Sequence, residues 1–348
     1  MTDDGKLGVG VVGIGWVSHQ HIGTLVTNPH TEVVGLCSGS LANAQNAKEE
    51  HGLSNAHCYD DYEQMLKQDN LDMIFICSTN EKHVDQAVAG AEAGNHLLIE
   101  KPASLTWEGL KSIAAAVDKA GVVACEGFEL HWSPYFLIVH KLIKANAFGN
   151  IFYGECDYFS ANWPQWYVGY PWVKTREQGG SALAAAGCHA VDALLQFMPG
   201  EVDHVVGHWG NFTKTFDWEG TVLSVISYKD GRIGKVGCIL EGNNPYTFNV
   251  RLHGDRGTLV GNKFHSETLI GERMTEQTDW ATFETIMPDT PEVSHHPFQP
   301  QTDHIIDCIL NNKKPEVDIN DALRIDEVIF AAERSASLGG EAVKLPLE

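Results

Sequence analysis

Positive charge is scarce in this chain of 348 residues: 24 Lys and Arg stand against 46 Asp and Glu, a formal charge of −22. So acidic a surface repels phosphate backbones and anionic headgroups, so neither nucleic acid nor a membrane is expected as partner. Long apolar runs are missing too. No stretch approaches the ~20 residues that cross a bilayer, and Met1-Thr2-Asp3-Asp4-Gly5-Lys6 lacks the basic-then-apolar pattern of a secretory signal. A cytoplasmic protein is the expectation. None of the 8 cysteines (37, 58, 77, 125, 156, 188, 238 and 308) forms a Cys-x-x-Cys pair, and several lie in apolar runs. Buried free thiols fit better than disulfides or zinc, and no metal is expected. Repeats and low-complexity linkers are absent, so no domain boundary is marked by composition.

What is present suits a soluble two-domain protein, with 43% apolar and 20% charged residues. Residues 7–128 alternate β-like runs (7–12, 32–37, 73–77, 96–99, 122–125) with amphipathic stretches (41–50, 62–68, 83–93, 107–119). Near-continuous apolar strands separated by helices predict a parallel sheet covered on both faces, the α/β, doubly wound Rossmann-type architecture. From 151 onward, strand-like segments (151–159, 204–212, 221–228, 234–240, 247–253, 258–261) follow one another with hairpin turns at Asp230-Gly231 and Gly254-Asp255-Arg256-Gly257. That order predicts an antiparallel sheet in an α+β domain. The division falls at 1–128 and 129–348, with a last helix near 319–338 expected to return to the first domain.

The first turn indicates what the parallel sheet binds. Gly13-Ile14-Gly15-Trp16-Val17-Ser18 follows a strand and opens a helix, the context a dinucleotide fingerprint requires. Gly13 permits the tight turn and Gly15 lets backbone N–H groups approach a pyrophosphate, while Ser18 replaces the third glycine, which should slightly widen helix–strand packing. The second strand ends Leu36-Cys37-Ser38-Gly39-Ser40, without the acid that commonly binds the ribose hydroxyls of NAD. Ser38 tolerates a 2′-phosphate, yet no arginine follows, so NAD and NADP both stand, with a slight lean to NADP. Ser78, Thr79, Asn80 and His83 sit at a later strand end, where such sheets bind ligands, although a capped turn explains them equally. Glu100-Lys101-Pro102 carries an acid and a lysine out of a buried strand. The alternative is a surface ion pair, and proline makes a cis bond more accessible.

The stretch from Gly179-Gly180-Ser181 through Ala185, Gly187, His189 and Asp192 reads as a glycine turn leading into a buried helix. If it is α-helical, Ala185, His189 and Asp192 share one face, and ionisable groups on a buried helix generally have a purpose. Aromatic and polar residues (His131, Trp132, Trp163, Trp166, Tyr167, Tyr170, Trp172 and Lys174) accumulate before it. Their flat, polar-edged rings suit sugar faces, and equally a core or an oligomer interface.

Gly13-x-Gly15 with His21, Asn80 with His83, Glu100-Lys101-Pro102, and Gly179-Gly180-Ser181 through Gly187-x-His189-x-x-Asp192 together resemble the Gfo/Idh/MocA family, in order and over essentially the whole chain. The resemblance implies an N-terminal Rossmann domain and a C-terminal domain with an open, mainly antiparallel sheet. It further implies a bound NAD or NADP, held tightly in some members, and a sugar or cyclitol substrate. The open sheet is expected to join copies into a homodimer or homotetramer. Hydride transfer from a secondary alcohol needs a base for the hydroxyl proton, and histidine, with a reference pKa of ~6.5, works in both directions near neutrality. His189 is the expected acid/base. Lys101 would hold the substrate oxygen, and Asp192 would orient His189 or bind a neighbouring hydroxyl. Lys101, His131, Trp163, Trp166, Lys174, His189 and Asp192 are the expected substrate contacts. The dinucleotide falls to Gly13, Ile14, Gly15, Trp16, Val17, Ser38, Ser78, Thr79, Asn80, His83, Glu100 and Lys101. The family pattern commonly has aspartate four residues before the histidine, where this chain has Ala185. His131, Glu126 or Glu129 could fill that gap, and His296, next to His295, could add to the pocket. Two other readings remain: a glycosidase or lyase that keeps its cofactor through transient sugar oxidation, and a non-catalytic redox or sugar sensor.

Overall fold

The computed structural model describes residues 1–2, 4–160, 169–269, 279–288 and 296–348. Trp163, Trp166, Tyr167 and His295 lie outside them. The chain divides into two compact units, one of Met1–Glu129 with Phe298–Arg324 and one of Leu130–Pro297 with Ile325–Glu348.

The first unit is built on a six-stranded parallel sheet in the order β3-β2-β1-β4-β5-β6. Its strands are Leu7–Val12, Thr31–Cys37, His57–Tyr59, Met73–Ile76, His96–Ile99 and Ala124–Glu126, numbered β1 to β6. Every residue of β1 and β4 is buried, as expected for strands covered on both faces. The helices are α1 (Trp16–Thr27), α2 (Leu41–Glu50), α3 (Tyr62–Met65), α4 (His83–Glu92) and α5 (Trp107–Ala120). Local chemistry sets their ends. Thr106 caps α5 by accepting the Gly109 N–H at 3.1 Å, and Gly121 closes it in the left-handed region at φ +68°. The short β3 has too few residues to show a pattern in sequence. A helix at Phe298–Leu310 buries Ile305 and Ile306 in the same core as Val9, Val11, Leu25 and Phe75.

The second unit carries a nine-stranded sheet in the order β14-β13-β12-β11-β7-β10-β9-β8-β15. Its strands are Ile151–Phe159 (β7), Val202–Gly210 (β8), Thr221–Tyr228 (β9), Ile233–Ile239 (β10), Thr247–Gly254 (β11), Gly257–Val260 (β12), Lys263–Ser266 (β13), Ala281–Thr282 (β14) and Val343–Lys344 (β15). All the recorded pairs are antiparallel except β7 with β10. Asp230-Gly231 joins β9 to β10, and the turn at 254–257 joins β11 to β12, as their turn chemistry predicts. One face of this sheet is buried, with Cys156, Val222, Ile226, Val236, Cys238, Phe248 and Val250 turned inward. On the other face, cross-strand neighbours place exposed Leu223, Val225 and Ile233 beside Lys235, whose ammonium lies 2.7 Å from Asp157.

Candidate active site

The turn after β1 closes against the end of β4. Gly13 has φ +87°, and a Cβ there would stand 2.3 Å from the Ser78 backbone nitrogen, so no larger residue fits. Beside Gly15 a Cβ would meet nothing within 4 Å, leaving the open approach a phosphate needs at the α1 N-terminus. Ser18 is fully buried and serves the loop itself: its Oγ donates to the Gly15 carbonyl at 2.7 Å and accepts the Gly15 N–H at 2.9 Å. Ile14, Trp16 and Val17 are half-buried around it. These residues fit a dinucleotide.

At the end of β2, the Ser38 N–H donates to the Tyr59 carbonyl at 3.1 Å. Two acids that follow β3, Asp60 and Asp61, lie near enough to the end of β2 to act on Cys37. Burial, then Asp61 and Asp60, push the Cys37 thiol up to about 11, with Lys82 acting in the opposite sense. Sequence reading missed this because the acids lie more than twenty positions downstream. At the end of β4, Ser78 Oγ donates to Gln86 at 2.6 Å and Thr79 to Glu81 at 2.7 Å, while buried Asn80 starts a 3₁₀ turn. His83 is 1% exposed with both ring nitrogens against carbonyls, Pro102 at 2.8 Å and Ser78 at 3.0 Å. Burial holds its pKa below the ordinary value. The neutral ring has one N–H, so it donates to one of these carbonyls and packs between the two strand-end loops.

The Glu100-Lys101 segment is not a surface ion pair. Glu100 is buried, with Oε1 2.7 Å from His21 Nε2 and Oε2 accepting the Lys101 N–H at 3.2 Å. His21 is wholly enclosed, its ring meeting Phe75 and Phe298 edge-on. The peptide bond between Lys101 and Pro102 is cis. Glu126 accepts the Ala103 N–H at 2.9 Å, which gives that carboxylate a scaffold role in the same unit.

In the second unit, the stretch after Gly179 departs from a plain α-helix. Gly180 has φ +81°, and a Cβ on Gly179 would lie 2.0 Å from the Val173 carbonyl. Ser181 then accepts the Ala184 N–H at 3.0 Å and bonds to Glu333. Residues Leu183–Gly187 wind as a π-helix and Cys188–Phe197 continue as an α-helix. Such π segments recur at functional sites. The wider turn corrects the expectation of one α-helical face: His189 and Asp192 keep α spacing, whereas Ala185 lies in the π segment.

His189 is 1% exposed. Its ring stacks on Tyr158 of β7 (centroids 6.4 Å, planes 21° apart) and meets His296 edge-on at 6.0 Å. Tyr158 in turn touches Tyr246 at 4.8 Å. Asp192 engages other groups: Oδ1 lies 2.9 Å from His131 Nε2, and Oδ2 accepts from Gln196 Nε2 at 2.8 Å. His131, one of three residues considered for the gap at Ala185, is thus joined to the helix that carries His189. Lys174 ends a 3₁₀ turn at Pro171–Lys174, half-buried, with its carbonyl accepting the Asp217 N–H at 3.0 Å. Tyr158, Gln196, the buried acid Asp326 and the half-buried Glu333 carried no motif signal. Only the inward alternation of β7, Cys156 then Tyr158, hints at one of them.

Residues 7–128 match the family described as "Oxidoreductase family, NAD-binding Rossmann fold", and residues 136–260 match the "GFO/IDH/MocA C-terminal domain". The scyllo-inositol 2-dehydrogenase (NAD(+)) of Bacillus subtilis is 25% identical over 93% of this chain and 92% of its own. The D-apiose dehydrogenase of Paraburkholderia graminis is 22% identical over 94% and 87%. Among solved structures, levoglucosan dehydrogenase with NADH and levoglucosan superposes with a TM-score of 0.84 over 98% of this chain and 99% of that one, at 19% identity, a likeness of fold. The WlbA dehydrogenase from Bordetella pertussis, in complex with NADH and UDP-GlcNAcA, gives 0.82 over 99% and 100% at 25% identity.

Proposed function

Because the chain belongs to the Gfo/Idh/MocA family of NAD-binding oxidoreductases, we propose that it oxidises a secondary hydroxyl of a sugar or polyol. The observation that carries this reading is a buried histidine, His189, in a chain whose first βα turn is built for a dinucleotide. When bound, the nicotinamide supplies the hydride acceptor. His189 takes the hydroxyl proton and returns it in the reverse direction. The Lys101 ammonium holds the substrate oxygen and stabilises negative charge developing on it. The His21–Glu100 pair anchors the backbone at Lys101, and His83 packs between the Ser78 and Pro102 carbonyls. Asp192 fixes His131 as a second polar contact for the sugar. The inositol and apiose dehydrogenases above support the substrate class.

Two acids beyond β3, with no arginine after Ser38, favour NAD⁺ over NADP⁺ by repelling a 2′-phosphate. Incubation with each dinucleotide and a panel of cyclitols, aldoses and glycosides tests both statements. Reduced dinucleotide should accumulate under turnover, and NAD⁺ should bind at least about tenfold tighter by fluorescence titration. Glycoside cleavage without net reduction overturns the reaction, and equal or tighter NADP⁺ binding overturns the preference. The exposed Leu223, Val225 and Ile233 side chains support association of copies through the nine-stranded sheet. Light scattering should give a dimer or tetramer, whereas a monomer at micromolar concentration refutes it.

A further inference from the structure

His19 lies on the second turn of α1, and Glu50 and His51 end α2, so the first unit brings together three potential ligands that the sequence keeps thirty positions apart. His19 Nδ1 is 2.9 Å from His51 Nε2 and 3.6 Å from Glu50 Oε2. The two imidazoles lie with centroids 5.2 Å apart and planes 28° from parallel. Among the described residues, this is the one group of three His, Cys, Asp or Glu side chains whose ligand atoms converge within 4.8 Å.

We propose that His19, Glu50 and His51 form a surface site for a first-row divalent transition-metal ion such as Zn²⁺, Ni²⁺ or Cu²⁺. The donor set is borderline, two imidazole nitrogens and one carboxylate, which suits these ions better than Mg²⁺ or Ca²⁺. At metal–nitrogen distances of about 2.0–2.1 Å, two ligands at a right angle stand about 2.9 Å apart, the separation found here. A tetrahedral pair needs about 3.3 Å, a shift within reach of side chains that are partly exposed. His19 Nδ1 faces two acceptors but has at most one proton to donate, so a hydrogen bond satisfies one of them and a cation satisfies all three lone pairs. Water fills the remaining positions on the solvent side, where Glu50 is 66% exposed. The formal charge of −22 raises the local concentration of cations. The bound ion would tie the helix that follows the dinucleotide turn to the end of the next helix of the same sheet.

The test is calorimetric titration of the chelator-treated full-length protein with ZnCl₂ and NiCl₂, repeated on H19Q, H51Q and E50Q. Copper(II) electron paramagnetic resonance would count the imidazole nitrogens. The site requires one equivalent bound by the wild type, at least about tenfold weaker binding in each histidine variant, and loss of the two-nitrogen copper signature. E50Q should weaken binding less, since it keeps both imidazoles. Glutamine keeps a similar size and a hydrogen-bonding group at these solvent-accessible positions, and unchanged circular dichroism checks that the variants fold. No binding by the wild type, or equal affinity in H19Q and H51Q, overturns the proposal and leaves a hydrogen-bonded imidazole pair.

Discussion

Replacing His189 by alanine is expected to lower kcat at least about 10²-fold, the lower bound for losing a general acid–base. The expectation rests on where the residue stands. His189 is 1% exposed, enclosed by the rings of Tyr158 and His296. The nearest acid on its own helix, Asp192, has both oxygens engaged, by His131 and Gln196. Ala185 supplies no carboxylate in the preceding turn. The proton therefore has no substitute acceptor of comparable strength on this segment. Lys101→Ala should cost a similar or larger factor, about 10²–10³, by removing the charge that stabilises the developing oxyanion. A merely structural role for His189 would move other quantities: the NAD⁺ dissociation constant would rise and the unfolding midpoint would fall. The acid/base role instead leaves NAD⁺ binding within about twofold and removes the limb of the kcat/KM pH profile that belongs to histidine. His189→Asn separates the two, since it fills the space without a titrating nitrogen. Near-normal turnover in His189→Ala or His189→Asn sinks the assignment.

The parallel sheet was legible because its strands are continuous apolar runs bounded by glycine and small polar residues, and the two hairpin turns of the second sheet announce themselves by composition. Edges were harder to read. The strands at 57–59, 281–282 and 343–344 are two or three residues long, too short for a period of two to appear. At the site, the glycine turn and the glutamate-lysine segment stand in local sequence, so their residues could be named directly. The pairing of Asp192 with His131 spans sixty-one positions, and nothing local marks it. The π winding at Leu183–Gly187 is equally hidden, because an alanine-rich run fits α and π turns alike. It depends instead on Gly179 packing on Val173, Ser181 bonding to Glu333 and Gly187 approaching Cys238.

A second large effect, on stability, arises in the same unit. Asp326 lies on the Ile319–Ser337 helix, 2% exposed, with neither carboxyl oxygen hydrogen-bonded among the described residues. Burial, then Glu333, then Asp192 raise its pKa from 3.8 to about 8. Glu333 is itself held above its ordinary value by burial, against opposing contributions from Ser181 and Arg176. The folded protein therefore keeps a proton on Asp326 that the unfolded chain releases above pH ~4. Its contribution to stability is complete below that pH and declines as pH rises, until Asp326 ionises in the fold near pH ~8. At 1.36 kcal/mol per unit, about four units cap the loss near ~5 kcal/mol. Asp326→Asn, which keeps the shape of the neutral acid, should flatten this slope. Guanidinium unfolding at intervals from pH 5 to 9 would show wild-type stability falling by several kcal/mol relative to the variant, with most of the divergence complete by pH ~8. The comparison uses slopes, so any constant cost of burying the amide drops out. Parallel curves for the two proteins across that range would mean that Asp326 ionises in the fold as readily as in the unfolded chain, and that the carboxyl group is hydrated.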